Sequence, residues 1–290
     1  ILGQNSLKIE SIQKSDPTLE NVFVTRLRQQ GSDPPFIPFP RSRPPAGDQA
    51  INNQLPITHY QLPITHSIAI GARNLSKFFG NFHAVKDINL EVGYGQIYGL
   101  LGANGAGKTT AIKMLCGLLE HSSGEITLGG ERQNLRNPKL RSRIGYMSQK
   151  FTLYDDLSVL QNLEFYCGVY GVPHKLRRTK IDWVLATCGL MGQEDMLTGR
   201  LPGGWKQRVA FGASVMHEPE ILFLDEPTSG VDPLARRQFW RLIDDFARNG
   251  TAVLVTTHYL EEAEHCHNMG FMVAGEMVAQ GSPSQIKAAQ

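Results

Sequence analysis

The chain has 290 residues, 41% of them apolar, which is room for one large or two modest packed domains. Its 29 basic and 27 acidic residues leave a net charge of +2, so nothing in the charge marks a nucleic-acid binder or an acidic-tailed protein. No run approaches the ~18 apolar residues of a membrane span, no signal peptide opens the chain, and four scattered cysteines without a CxxC pair read as reduced, buried thiols.

Residues 1–30 hold little to fold around, although Asp16-Pro17-Thr18-Leu19-Glu20-Asn21-Val22-Phe23-Val24 reads as a capped helix start that needs a partner to pack on. Over 31–66 the composition shifts, and eight of the sixteen prolines fall there. Within it Gln54-Leu55-Pro56-Ile57-Thr58-His59 recurs as Gln61-Leu62-Pro63-Ile64-Thr65-His66. Proline interrupts a sheet at each copy, so this stretch is expected to be an extended, disordered linker.

Ordered sequence begins near Ile68. Apolar runs predict strands over 68–74, 88–92, 96–101, 125–128, 144–147, 221–224, 252–256 and 270–273, with helical patterns after many of them. Alternating strands and helices imply a parallel sheet with helices on its faces. Leu234, Phe239, Leu242, Ile243 and Phe246 fall at helical spacing in a segment that Asp232 can cap and Pro233 can begin. Two consecutive helices, 159–170 and 174–188, break the alternation and predict a separate helical lobe. The basic His174-Lys175-Leu176-Arg177-Arg178 on the second of them reads as a solvated face.

The chemistry centres on Gly102-Ala103-Asn104-Gly105-Ala106-Gly107-Lys108-Thr109-Thr110, between the apolar run 97–101 and the helix-favouring 111–119. A buried strand, three glycines and a helix starting near Lys108 aim several NH groups at one point, where the helix dipole also favours an anion. Lys108 can reach outer phosphates and Thr109 can offer its hydroxyl to magnesium. A plain glycine-rich turn would explain the glycines but not the lysine and hydroxyl at these offsets. The run Ile221-Leu222-Phe223-Leu224 ends in two carboxylates: Asp225 is expected in the magnesium shell, and Glu226 as the general base that polarises the attacking water. Ser229-Gly230-Val231-Asp232 makes a tight turn in which Asp232 closes the turn or caps the next helix. His258, after the strand 252–256, stands where a sensor of the terminal phosphate would sit. A zinc site at His265-Cys266-His267 carries little weight, because adjacent residues on a helix face different ways.

With the cradle, Gln149, Leu201-Pro202-Gly203-Gly204-Trp205, the paired carboxylates and His258 in that order, residues 68–285 resemble the ATP-binding cassette (ABC) family. The resemblance implies an α/β fold: a P-loop NTPase (RecA-like) parallel-sheet core, an antiparallel β subdomain and an α-helical signature lobe, here about 151–217 of a cassette at 67–285. It implies ATP and Mg2+ as ligands, with Thr109, Gln149 and Asp225 around the metal and Phe79 stacking on adenine. It also implies a head-to-tail pair of cassettes, each ATP lying between the cradle of one and the residues 201–205 of the other. Phe151, Tyr154 and Leu157 would line the groove for a separate transmembrane permease, which places the protein on the cytosolic face of the inner or plasma membrane. No nucleic acid is expected.

The stretches 99–117 and Thr257-His258-Tyr259-Leu260-Glu261-Glu262-Ala263 resemble the type-2, multidrug exporter branch, and residues 17–24 resemble the closing segment of such a module. On that likeness 1–30 would be the remnant of a preceding cassette, 31–66 the linker, and 286–290 the start of a truncated tail, the middle of a tandem protein. A soluble tandem cassette acting on ribosomes or nucleic acid, and an ATP-gated switch with weak hydrolysis, are the alternatives. Pro202 departs from the family pattern Leu-Ser-Gly-Gly-Gln. Proline lacks both the hydroxyl and the NH of serine, so unequal nucleotide sites are expected.

Overall fold

The computed structural model describes residues 36–42, 67–132, 135, 137–149 and 153–288. The chain divides into two units, Ile1–Pro35 and Phe36–Gln290, and all described residues belong to the second. The helix start near residue 17, the duplicated hexapeptide, Phe151 and the last two residues lie outside the described residues.

Among the described residues nine strands form two sheets. Strands β1 (Ile68–Phe79), β2 (Phe82–Gly93) and β4 (Ser123–Leu128) make an antiparallel sheet in the order β2-β1-β4. The other sheet has the order β5-β6-β7-β3-β8-β9, from β3 (Ile97–Leu101), β5 (Ile144–Met147), β6 (Ile221–Asp225), β7 (Ala252–Thr257), β8 (Asn268–Val273) and β9 (Glu276–Gly281). It is parallel except for β9, which runs antiparallel to β8. Strands buried on both faces need no polar alternation, and β3 and β6 are buried at all five positions, as their unbroken apolar runs predict.

Alternate residues of β6 and β7 feed two separate cores. Ile221, Phe223, Ala252 and Leu254 pack with the antiparallel sheet and helix α1 (Lys108–Leu115). Leu222, Leu224, Val253 and Val255 pack instead with the helical lobe and with a long helix, Pro233–Arg248. The lobe holds α3 (Val159–Val169), α4 (His174–Cys188) and α5 (Gly203–Val215); the short α2 (Pro138–Arg141) precedes β5, Pro233–Arg248 is α6, and α7 (Pro283–Ala288) follows β9. Of these, α3 and α4 begin where the sequence placed them. Ser158 and Gln161 form a reciprocal capping box at the start of α3, and Gly189, at φ 68°, ends α4.

β1 runs on to Phe79 and β2 begins at Phe82, well outside their predicted bounds, and two further stretches differ from expectation. β9 has no fully buried position, and its only apolar run is the short Met277-Val278-Ala279; its partner β8 supplies the hydrogen bonds that define it. Within the linker range, residues 36–42 lie against the folded core rather than extending as a disordered spacer, with Phe39 only 5% exposed. Long-range side-chain contacts, invisible in a proline-rich composition, hold them there.

Candidate functional site

The loop between β3 and α1 is shaped by close approach as much as by glycine freedom. At Gly102 a Cβ would lie 2.3 Å from the Met272 carbonyl oxygen, and at Gly107, with φ +103°, one would lie 2.6 Å from that of Ala84. Gly107 caps α1 without any side-chain hydrogen bond, so the NH groups of the first turn are left to a ligand. Ala103, Asn104 and Gly105 are exposed on the rim, Thr110 is half-buried, and Ala106 is buried with its NH donating to the Ala103 carbonyl at 3.1 Å.

Lys108 is 4% exposed, and its ammonium donates to the carbonyls of Gly102 and Ala103 at 2.8 and 3.1 Å. The same Nζ stands 3.3 Å from Glu226 Oε1. Asp225 and Glu226 diverge because Glu226 takes a left-handed backbone, φ +50°, held by its NH donating to the Thr256 hydroxyl at 3.0 Å. Asp225 Oδ1 accepts from the hydroxyls of Thr109 at 3.1 Å and Thr256 at 2.7 Å. Burial raises the Asp225 carboxyl above its ordinary range, against the lowering effect of those two hydroxyls. Its Oδ2 is buried and has no hydrogen-bond partner. Glu226 Oε2 faces Gln149, whose amide donates at 3.0 Å, and His258 Nδ1 at 3.4 Å. Lys108, Thr109, Gln149, Asp225, Glu226 and His258, spread over 150 positions of sequence by the arithmetic 258 minus 108, therefore meet around two adjacent carboxylates. The set offers an anion cradle, a free carboxylate oxygen for a cation and a buried base beside a histidine.

A family model described as ABC transporter matches residues 85–229, half of the chain. The chain belongs to the ABC transporter family. A model described as AAA domain, putative AbiEii toxin, Type IV TA system, also matches the cassette, over residues 207–262. The probable multidrug ABC transporter ATP-binding protein YbhF of Escherichia coli (strain K12) is 41% identical over 278 residues, 96% of this chain and 45% of YbhF. The chain thus spans less than half the length of that relative. The linearmycin resistance ATP-binding protein LnrL of Bacillus subtilis (strain 168) is 37% identical over 216 residues, covering 74% of the chain and 70% of LnrL. Among solved structures, an ATP-binding subunit of an ABC transporter superposes with TM-score 0.70 and 26% identity, over 76% of this chain and 92% of that one. A dimeric bacterial ABC transporter cassette shares the fold at TM-score 0.68 and 24% identity, over 73% and 98%.

Other predicted residues of the cassette are less concentrated. Phe79 ends β1 with its ring half exposed, the Lys77 ammonium 5.2 Å from its centroid; Phe78 is exposed too, but stacks on His83 at 3.8 Å. Asp232 caps α6, accepting from the Ala235 NH at 2.9 Å. Pro202 is the N-cap of α5 and has no side-chain bond; it is exposed with Gly203, Gly204 is partly exposed, and Leu201 is buried. Trp205 packs against the lobe core. Tyr154 is exposed and stacks edge-on with Phe165 at 5.0 Å. The loop before α3 is pinned by Asn162, fully buried, which exchanges bonds with the Tyr154 backbone and donates to Thr198 Oγ1 at 2.9 Å. His265 stacks on Trp240, His267 Nδ1 accepts from the Ile97 NH at 3.0 Å, and Cys266 Sγ reaches the Glu262 carbonyl, so the three go to different neighbours.

Sequence reasoning passed over two parts of the site. Thr256 ties both carboxylates to β7, and a hydroxyl at the end of an apolar strand, two residues before His258, was the available signal. Glu262, 2% exposed, accepts from the Thr228 hydroxyl at 2.6 Å with Arg236 3.7 Å away, joining the turn after Glu226 to the segment after His258. A charged residue on an apparent surface segment gave no hint of that burial.

Proposed function

We propose that the cassette binds and hydrolyses ATP and powers export through separate membrane subunits. The observation that carries this reading is the meeting of the uncapped α1 cradle and Lys108 with the divergent Asp225 and Glu226. Lys108 and the NH groups of α1 bind and orient the phosphates. Glu226, positioned by Gln149 and His258, accepts the proton of the attacking water. The Asp225 Oδ2 left unpartnered beside the Thr109 hydroxyl suits a hard divalent cation, so Thr109, Asp225 and Gln149 would hold Mg2+. Such an ion supplies charge neutralisation at the phosphates.

The names of the relatives, among them multidrug export, linearmycin resistance and Nod factor export, support an exporter of the type-2 branch working at the cytosolic face of the membrane. Among the described residues no helix is long and apolar enough to cross a membrane, and the exposed Tyr154 and Phe165 offer a permease a surface on the lobe. The exposed start of α5 suits a head-to-tail partner cassette, in the same polypeptide if the match to less than half of YbhF reflects a tandem arrangement. Pro202 then weakens the site made with the partner's cradle. In single-turnover assays Glu226→Gln is expected to retain ATP binding while hydrolysis falls ~10²–10⁴-fold. Wild-type turnover in that variant would overturn the assignment of the base.

A further inference from the structure

Residues 36–42, Phe36-Ile37-Pro38-Phe39-Pro40-Arg41-Ser42, touch both halves of the cassette. Pro38 and Pro40 remove two NH donors and fix φ, which keeps the segment extended and leaves its carbonyls as acceptors. Two of those carbonyls are taken by α4 of the lobe: the Trp183 indole NH donates to Ile37 O at 3.0 Å, and the Lys180 ammonium donates to Pro40 O. On the other side Arg41 grips α6 of the core, 2.7 Å from the Asp245 carboxylate and 3.2 Å from its carbonyl, with the guanidinium 4.8 Å from the Phe246 ring centroid.

Phe39 lies between the two. Its ring meets Trp183 edge-on at 4.8 Å and Phe246 at 4.9 Å, and Lys180 Nζ stands 4.0 Å from its centroid. Lys180 is 2% exposed, and its counter-ion, Glu218 Oε1 at 2.6 Å, also accepts from the Ser42 NH at 2.8 Å. The buried ammonium is therefore paired at the place where lobe and core join. Beside this seam Trp183 of α4 and Phe239 and Leu242 of α6 line one small pocket, while α4 and α5 pack so closely that a Cβ on Gly212 would lie 2.5 Å from Val184.

We infer that residues 36–42 are a strap across the seam between helical lobe and core, limiting how far the lobe swings and with it the Pro202 end of α5. A segment that merely filled a surface groove would touch one body; this one is bonded to α4 and α6 at once, so a change in their relative position must break one set of contacts. Every partner lies at least 140 positions away in sequence, so the strap is a tertiary device and not a local turn. The inference goes beyond the hydrolysis reading and stands whether or not Glu226 is the base.

The test uses the whole chain without nucleotide. Spin labels at Met191→Cys on the lobe and Val278→Cys on β9, both exposed, report the lobe-to-core distance; the four native cysteines are buried. The strapped protein should give one narrow distance distribution. Phe39→Ala with Arg41→Ala should broaden it, and amides of α4 should exchange about tenfold faster, since loss of charged and aromatic ties raises the population of open forms. If that pair does not fold, Arg41→Gln and Phe39→Leu, which remove the ion pair to α6 and the ring contacts to Trp183 and Phe246 while leaving α4 itself unaltered, are read in the same way. A folded variant with unchanged distribution and unchanged α4 exchange would overturn the strap and leave residues 36–42 as filler.

Discussion

The starts of α1 and α5 are chemically alike and structurally opposite. Each helix begins without a side-chain cap, at Gly107 and at Pro202, so each presents first-turn NH groups to whatever anion is offered. Around α1 the chain supplies everything else: a buried lysine, two buried carboxylates, a glutamine and a histidine within hydrogen-bonding or ion-pair reach. Around α5 it supplies an exposed proline and two glycines, while Trp205 turns back onto the lobe. A helix N-terminus alone thus does not define a site; the enclosed end can organise chemistry by itself, and the open end gains meaning only from what docks on it. The start of α4, at Pro173, is also uncapped and makes the same point.

The comparison breaks most sharply at Lys108. Lys108→Ala should abolish ATP binding and also cost about 3 kcal/mol of stability, because it leaves Glu226 buried at 5% exposure without its cation. Adding Glu226→Gln should recover most of that stability without restoring binding, as denaturant melts and nucleotide titrations would register. If Lys108→Ala melts like the wild type, the enclosed end is not held by its own charges.

At the open end, Pro202→Ser restores a hydroxyl and an NH. It should strengthen the site completed by a partner's cradle by about 1–3 kcal/mol and leave the site built on Lys108 and Glu226 little changed. Site-resolved nucleotide trapping in a pair of cassettes separates the two, and a gain confined to the Lys108 site would reverse the assignment of loops.

The smallest effect is expected one layer out. Glu262→Gln keeps an acceptor for Thr228 but removes the charge beside Arg236, so kcat should fall severalfold with little change in KM, a loss of about 1 kcal/mol. Thr228→Val should act in the same direction. An altered nucleotide affinity with normal kcat would show that this pair shapes the cradle rather than the turn after Glu226.

Sequence alone determined the elements whose cause is local. The unbroken apolar runs of β3 and β6, the glycines, lysine and threonine of the cradle, the capping residues of α3 and α6, and the left-to-right order of the motifs are each written within a few adjacent residues, where backbone sterics and hydrogen bonding act. Tertiary structure alone decided what depends on partners far along the chain. Asp225 could be read as a carboxylate at a strand end, but not that Thr256 would hold it or that one of its oxygens would be left unpartnered. β9, without a fully buried position, became a strand only beside β8, Glu262 became a buried anchor only under Thr228, and residues 36–42 became a strap only because Trp183, Lys180 and Asp245 were brought to one seam. Composition reports the average solvation of a stretch, whereas these residues owe their roles to single contacts made after the chain has folded.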